Sequence, residues 1–186
     1  IRLSLVGSEM CIRDSIKRWH SFIPTQIKVA KKLKKIVVPS ESSGKDVVKD
    51  FSLKDASIEV VHNGIDLGFF YPSDKPYEDY KILSIASSDV PMKGLDFMIK
   101  AFPEIKKNYP KAKLSVLGKI REEGHTERLI NSLDLKDDIN FVSGLSHSEL
   151  REQYCSSHVV VIPSLYEGFG FAAAEAMACG LSLIHI

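Results

Sequence analysis

Residues 158–180 read HVVVIPSLYEGFGFAAAEAMACG. The opening HVVVIPS predicts a strand, because β-branched residues suit a pleated surface. GFAAAEAMA predicts a helix. Between them, Gly168 and Gly170 permit a tight turn and the close approach of backbone to a ligand. A helix opening near Gly170 presents unpaired N–H groups and a partial positive charge, which together make an anion site. Glu167 lies on the loop and Glu175, eight positions on, lies one to two turns into the helix. A phosphate at the helix start would have a carboxylate on either side. Carboxylates accept charge-assisted hydrogen bonds from sugar hydroxyls. The pattern suits a ligand that is hydroxyl-rich at both ends and anionic in the middle, as a nucleotide-sugar is.

The same alternation continues upstream. KILSIAS (81–87), KLSVLG (113–118) and INFVSG (139–144) predict strands. Leu95, Met98, Ile99, Phe102 and Ile105 trace a helical stripe, which Pro103 is expected to bend or break. Helices are also predicted over 123–133 and over SELREQYCS (148–156). Strands separated by helices indicate an α/β fold with a parallel sheet and helical crossovers. Ligands of such sheets bind beyond the carboxyl ends of the strands. The loops at those ends are SSDVPMKG (87–94), Gly118 and SLYEGFG (164–170).

Towards the N-terminus, Ile23, Ile27, Ala30 and Leu33 share a helical face opposite Lys28, Lys31, Lys32 and Lys35. The lysine face is read as solvated, with acidic lipid headgroups as the alternative. KIVVPS (35–40) predicts a strand, SSGKDVVKDF (42–51) a serine-capped helix, and SIEVVHNGID (57–66) a strand entering a turn at Asn63-Gly64, with Asp66 capping the next segment. FFYPSDKPYEDY (69–80) holds two prolines and no apolar period, and reads as a linker. Residues 1–15, IRLSLVGSEMCIRDS, lack a clean period and resemble translated sequencing-adapter sequence, as does LSLIHI at 181–186. Both are expected to be non-native; the alternative is that both are genuine, with LSLIHI a buried strand.

Of the 186 residues, 44% are hydrophobic and 26% charged, which is ordinary for a globular domain. Lysine plus arginine number 25 against 24 acids, so charge gives no reason to expect a nucleic-acid partner. Cys11, Cys155 and Cys179 match neither a zinc pattern nor a disulfide framework and fit a reducing cytoplasm. The expected location is cytoplasmic, at the inner membrane surface if the lysine face is used. No apolar run reaches the ~18 residues of a membrane helix.

SLYEGFGFAAAEAMACG resembles the signature of retaining GT-B glycosyltransferases of family 4, the glycosyl transferases group 1: Glu, seven residues, Glu, with Gly-Phe-Gly after the first acid. VVHNGID (60–66), PMKGLDFMIKAF (91–102), KAKLSVLG (111–118) and INFVSGLSHSELREQYCSSHVVVIPS (139–164) are similar to further family segments in order and spacing. The resemblance covers about residues 16–180. It implies two Rossmann-like parallel sheets with flanking helices, incomplete at both ends. Residues 16–66 would end an N-terminal acceptor domain, 67–76 would link the domains, and 77–180 would form a truncated donor-binding domain. The implied reaction moves a sugar from a nucleotide-sugar to a hydroxyl acceptor (a sugar, lipid-linked sugar or lipid) with retained configuration. In the implied front-face mechanism the leaving phosphate takes the acceptor's proton. No cofactor or metal is expected, and the fragment alone is expected not to catalyse transfer.

Carried over by position, Glu175 would bind the ribose hydroxyls and Glu167 the hydroxyls of the transferred sugar. Backbone N–H groups at Phe169, Gly170 and Phe171 would meet the sugar or phosphates. Lys93 would neutralise the departing diphosphate, and Gly118 would let the backbone approach the donor. Gly144, Leu145 and Ser146 would read the base through main-chain atoms. Lys93 and Glu167 form the implied catalytic set. Where the family often carries arginine, this chain has Ser88, so phosphate contact would fall to Ser87, Ser88, backbone donors and Lys93.

Other readings stand beside this one. Glu167 and Glu175 could be solvated carboxylates, and Lys93 a surface cation. His62 reads as a local hydrogen-bonding residue rather than a base, and Asn63-Gly64 as a turn. His125, His147 and His158 are scattered and suggest no metal site. Asp137-Asp138 reads as a surface turn. A glycosidase needs carboxyls ~5–10 Å apart, whereas eight residues of continuous helix span about 12 Å. A sugar-nucleotide epimerase of the same fold and a non-catalytic nucleotide-binding fragment are the remaining alternatives.

Overall fold

A computed structural model describes residues 21–53, 57–86 and 90–185. The chain divides into two compact units, Ile1–Asn63 and Gly64–Ile186. The adapter-like stretch 1–15, including Cys11, lies outside the described residues.

In the first unit, α1 (Ile23–Ala30) precedes β1 (Lys35–Val38), α2 (Glu41–Phe51) and β2 (Ser57–Val60). The two strands pair in parallel, Lys35 opposite Ser57 through Val38 opposite Val60, and α2 is the crossover between them. Ser40 caps α2: its hydroxyl accepts the Ser43 N–H at 3.1 Å, as the serine pattern predicts. Gly44 is buried on the helix, where a Cβ would stand 3.1 Å from Ile58 and 3.3 Å from Val38. Its missing side chain lets α2 lie directly on the strands. His62 donates from Nδ1 to the Pro39 carbonyl at 3.0 Å, across 23 positions of sequence.

The second unit runs β3 (Lys81–Ile85), α3 (Leu95–Asn108), β4 (Lys113–Leu117), α4 (His125–Ser132), β5 (Ile139–Val142), α5 (His147–Cys155), β6 (Val159–Ile162), α6 (Phe171–Ala178) and β7 (Leu183–His185). Its five strands are all parallel, in the order β5-β4-β3-β6-β7. The chain fills one side of β3 first, then returns with β6 to the other side. Successive strand residues face opposite ways, so the sheet feeds two cores. Ile82, Leu114, Val116 and Val161 pack with Leu95, Met98, Ile99 and Phe102 of α3 and Ile130 of α4. Leu83, Val160 and Ile162 pack with Tyr154 of α5, Ala176 of α6 and Cys179. No helix among the described residues is long and apolar enough to cross a membrane.

Three features depart from the sequence reading. Helix α3 runs unbroken through Pro103 to Asn108. Interior proline costs ~3 kcal/mol, but Ile99 and Phe102 are fully buried and Ile105 packs on the same core. Each such side chain contributes ~1.5–3 kcal/mol, so burial on both sides of the proline outweighs its cost. Second, residues 183–185, which the sequence reading left out of the fold, pair with β6 from Val160–Leu183 to Ile162–His185 and supply an edge strand. Third, the stretch read as a linker is fastened to α5. The Phe70 ring meets Tyr154 edge-on at 6.1 Å. The Arg151 guanidinium lies 3.6 Å from the centre of the Tyr71 ring and donates to the carbonyls of Tyr71 and Pro72, both at 3.1 Å. Asp66 accepts the Gly68 N–H at 2.9 Å, the cap its position predicts.

Candidate functional site

The turning point of the second sheet lies between β3 and β6, where one crossover leaves for each face. Two loops meet at their carboxyl ends. After β3, Pro91–Lys93 form a single 3-10 turn closed by a bond from the Gly94 N–H to the Pro91 carbonyl at 3.0 Å. After β6, the Leu165 N–H reaches back to the Met92 carbonyl at 2.9 Å. Gly94 makes this approach possible. Its φ is +64°, and a Cβ there would overlap the Pro163 carbonyl oxygen. Lys93 is thereby fixed beside the loop that carries Glu167, and its Nζ lies 2.7 Å from Glu167 Oε1. Both side chains remain partly open to water, at 38% and 25%.

The same loop then enters α6. Gly170 occupies its N-cap at φ +85° and offers no capping side chain, so the first-turn N–H groups are not covered by one. The rings of Phe169 and Phe171 meet edge-on at 5.2 Å across Gly170. One turn further, Glu175 Oε2 accepts the Tyr154 hydroxyl at 2.8 Å. Tyr154 is 1% exposed. Burial, then the Glu175 carboxylate, push its phenol well above the usual range, so it stays protonated and donates. Each carboxylate of the motif thus has its own partner: a cation from another loop for Glu167, a buried neutral hydroxyl for Glu175.

The remaining predicted positions line neighbouring strand ends. The Gly118 N–H bonds the Val142 carbonyl at 2.9 Å, keeping the end of β4 paired. Gly144 turns at φ +72° with open space where a Cβ would stand. Ser146 caps α5 in a reciprocal box: its N–H and hydroxyl both donate to Glu149 Oε2, at 2.7 and 2.6 Å. The hydroxyl first, then the N–H, hold the Glu149 carboxyl below its usual range. With the Ser146 side chain committed to the helix, what Gly144, Leu145 and Ser146 offer a ligand is main-chain atoms. Ser87 and Ser88 lie outside the described residues.

Sequence reasoning did not single out Tyr154. Four residues after Leu150 it reads as a core aromatic, and nothing nearby indicates that its hydroxyl meets a residue 21 positions on. It also did not find Asp96, which accepts from His125 Nε2 at 2.7 Å. The three scattered histidines stay apart: His147 rests on Phe69 and His158 on Tyr77, with ring centres 5.4 and 4.7 Å apart. Among the described residues no group of three His, Cys, Asp or Glu side chains could hold a metal ion. Asp138, read as part of a surface turn, accepts from Lys106 and Lys113 at 2.9 and 2.7 Å.

The profile of the glycosyl transferases group 1 family matches residues 71–186. The MMP alpha-(1->4)-mannosyltransferase of Mycolicibacterium hassiacum is 34% identical over 169 residues, which are 91% of this chain and 41% of that protein. Sucrose-phosphate synthase from Thermosynechococcus elongatus superposes with a TM-score of 0.73 at 26% identity, over 97% of this chain and 46% of that one. The C-terminal domain of a glycosyl transferase group 1 family protein from Francisella tularensis superposes at 0.56 with 26% identity, over 66% and 70%. The chain spans about two fifths of the length of the curated relatives it matches.

Proposed function

Because this chain belongs to the glycosyl transferases group 1 family, we propose that it forms the donor-binding part of a retaining, family 4 hexosyltransferase. The enzyme moves a sugar from a nucleoside-diphosphate sugar to a hydroxyl on a sugar, a lipid-linked sugar or a lipid. The observation that carries this is the Lys93–Glu167 pair, held at the turning point of a parallel sheet directly before the glycine-capped start of α6. A diphosphate lying against α6 meets backbone N–H groups and the Lys93 ammonium. Glu167 takes hydroxyls of the transferred sugar, and Glu175 takes those of the ribose.

As the bond from the anomeric carbon to the phosphate oxygen breaks, negative charge grows on the diphosphate. Lys93 and the α6 terminus meet that growing charge, which lowers the barrier more than it tightens donor binding. The acceptor oxygen attacks from the face that the phosphate leaves, and its proton passes to the departing phosphate oxygen. In this scheme the positive charge comes from Lys93 and the helix, with no divalent cation. The 186 residues are assigned donor binding, and transfer is assigned to the full-length protein.

The test supplies labelled nucleotide-sugars and hydroxyl acceptors to the full-length protein and identifies the products by NMR. A glycoside with the donor's anomeric configuration is expected. Free sugar would point to hydrolysis, and an epimerised nucleotide-sugar to an epimerase. Transfer by the 186 residues alone would overturn the division of labour.

A further inference from the structure

A glutamate on a helix surface turns about three side-chain bonds, and holding it in one arrangement costs rotamer entropy each time a ligand binds. Glu175 does not start from that freedom. Its Oε2 accepts from the Tyr154 hydroxyl at 2.8 Å. The donor belongs to one of the largest fully buried side chains among the described residues. The tyrosine ring is packed in the core layer of Leu83, Val160 and Ile162 and stands edge-on to Phe70. The hydroxyl is the only polar group of that ring. It carries a single hydrogen, and that hydrogen is given to Glu175.

We infer that Tyr154 is a positioning residue for nucleotide recognition. Anchored in the core, it holds one oxygen of Glu175 and leaves Oε1 to accept ribose hydroxyls. The inference rests on the proposal that Glu175 is the ribose acceptor. It adds that the acceptor is set in place from the opposite helix before the ligand arrives. A glutamate already fixed loses little on binding, and the advantage applies only to ligand hydroxyls that it receives. Tyr154 therefore affects discrimination between ribose and dideoxyribose, which a merely structural tyrosine would not.

The experiment measures Kd by calorimetry in the full-length protein. The probe is whichever of UDP, GDP or ADP the wild type binds most tightly, together with its 2′,3′-dideoxy form, which lacks both ribose hydroxyls. The variants are Tyr154→Phe, which keeps the buried ring, Glu175→Ala, and the double variant, each checked for an intact thermal transition. Tyr154→Phe is expected to weaken the ribonucleotide roughly 5–10-fold while changing the dideoxynucleotide by less than about 2-fold. In the Glu175→Ala background the same change is expected to have no further effect. Equal losses for both nucleotides, or losses that add to those of Glu175→Ala, would overturn the inference. If Glu175→Ala removes the discrimination and Tyr154→Phe does not, the positioning role fails and the ribose assignment survives. If Glu175→Ala leaves it intact, the ribose assignment fails and the positioning role falls with it.

Discussion

Glu167 and Glu175 leave the same strand on the same loop and helix, yet their partners differ in kind. Glu167 pairs with Lys93, an ammonium on a flexible stem, and both lie partly in water. A pair so exposed is worth ~0–1 kcal/mol, so a phosphate can draw the ammonium away at little cost. Glu175 pairs with a hydroxyl rooted in the core. Removing that acceptor strands a buried donor, at a cost of ~1–3 kcal/mol. The loop side of the motif is built to rearrange when charge changes, and the helix side to stay as it is.

The largest effect that tests this contrast is expected at the glycines beneath it. Gly94→Ala forces a side chain into the Pro163 carbonyl at a left-handed φ of +64°. It should destabilise the protein by about 3 kcal/mol or more in urea unfolding. Gly170→Ala, also left-handed at +85°, meets its nearest atom at 3.8 Å, so only the backbone cost of about 1–2 kcal/mol applies. Equal losses would mean that the loop seam is no tighter than the helix start.

Lys93→Ala should lower kcat by roughly 100-fold while weakening donor binding less than about 10-fold. A raised KM with wild-type kcat would make Lys93 a uniform binding group and erase the contrast with Glu175. Glu175→Ala should cost about 1–3 kcal/mol in nucleoside diphosphate affinity by calorimetry. Unchanged affinity in a folded variant would remove it from the site.

Asp138 provides a purely structural baseline. Its hydrogen bond from Lys113 foremost, then that from Lys106 and the charges of both, hold its carboxyl below the usual range against the effect of burial. A carboxyl depressed in the folded state stabilises above its unfolded pKa of about 4, and that contribution is lost as pH falls through the lower folded value. Asp138→Asn should therefore cost about 1 kcal/mol at pH 7, with the gap to wild type closing below about pH 4 in thermal unfolding. A gap independent of pH would show that packing, not charge, sets its contribution.

Much of the second sheet was legible because its strands are runs such as Val159–Ile162 and its helices carry stripes such as Leu95 to Ile105. Gly170 was legible as a turn glycine, and its φ is +85°. That Lys93 and Glu167 touch was not, because 74 residues separate them and only the placement of β6 beside β3 brings their loops together. Tyr154 was hidden for a related reason: a buried tyrosine and a core phenylalanine look alike until the hydroxyl's partner is known. Pro103 misled because local geometry was weighed without the burial on either side of it. The prolines at 72 and 76 suggested a linker because the groups that bind this stretch, Arg151 and Tyr154, come from a helix some eighty residues later.

That fastening has a mechanical consequence. From Asp66 onward, a closed turn, the contacts of Phe69 with His147 and of Phe70 with Tyr154, and a guanidinium clamp fasten the backbone to α5. On the other side, His62 is pinned to Pro39 of the first unit. Between these two fastened stretches lies Asn63-Gly64-Ile65. Three residues offer about six soft torsions, two of them in a glycine free of side-chain restraint. Replacing Gly64 with a residue that carries a side chain would restrict two of those six torsions and leave the other four as they are.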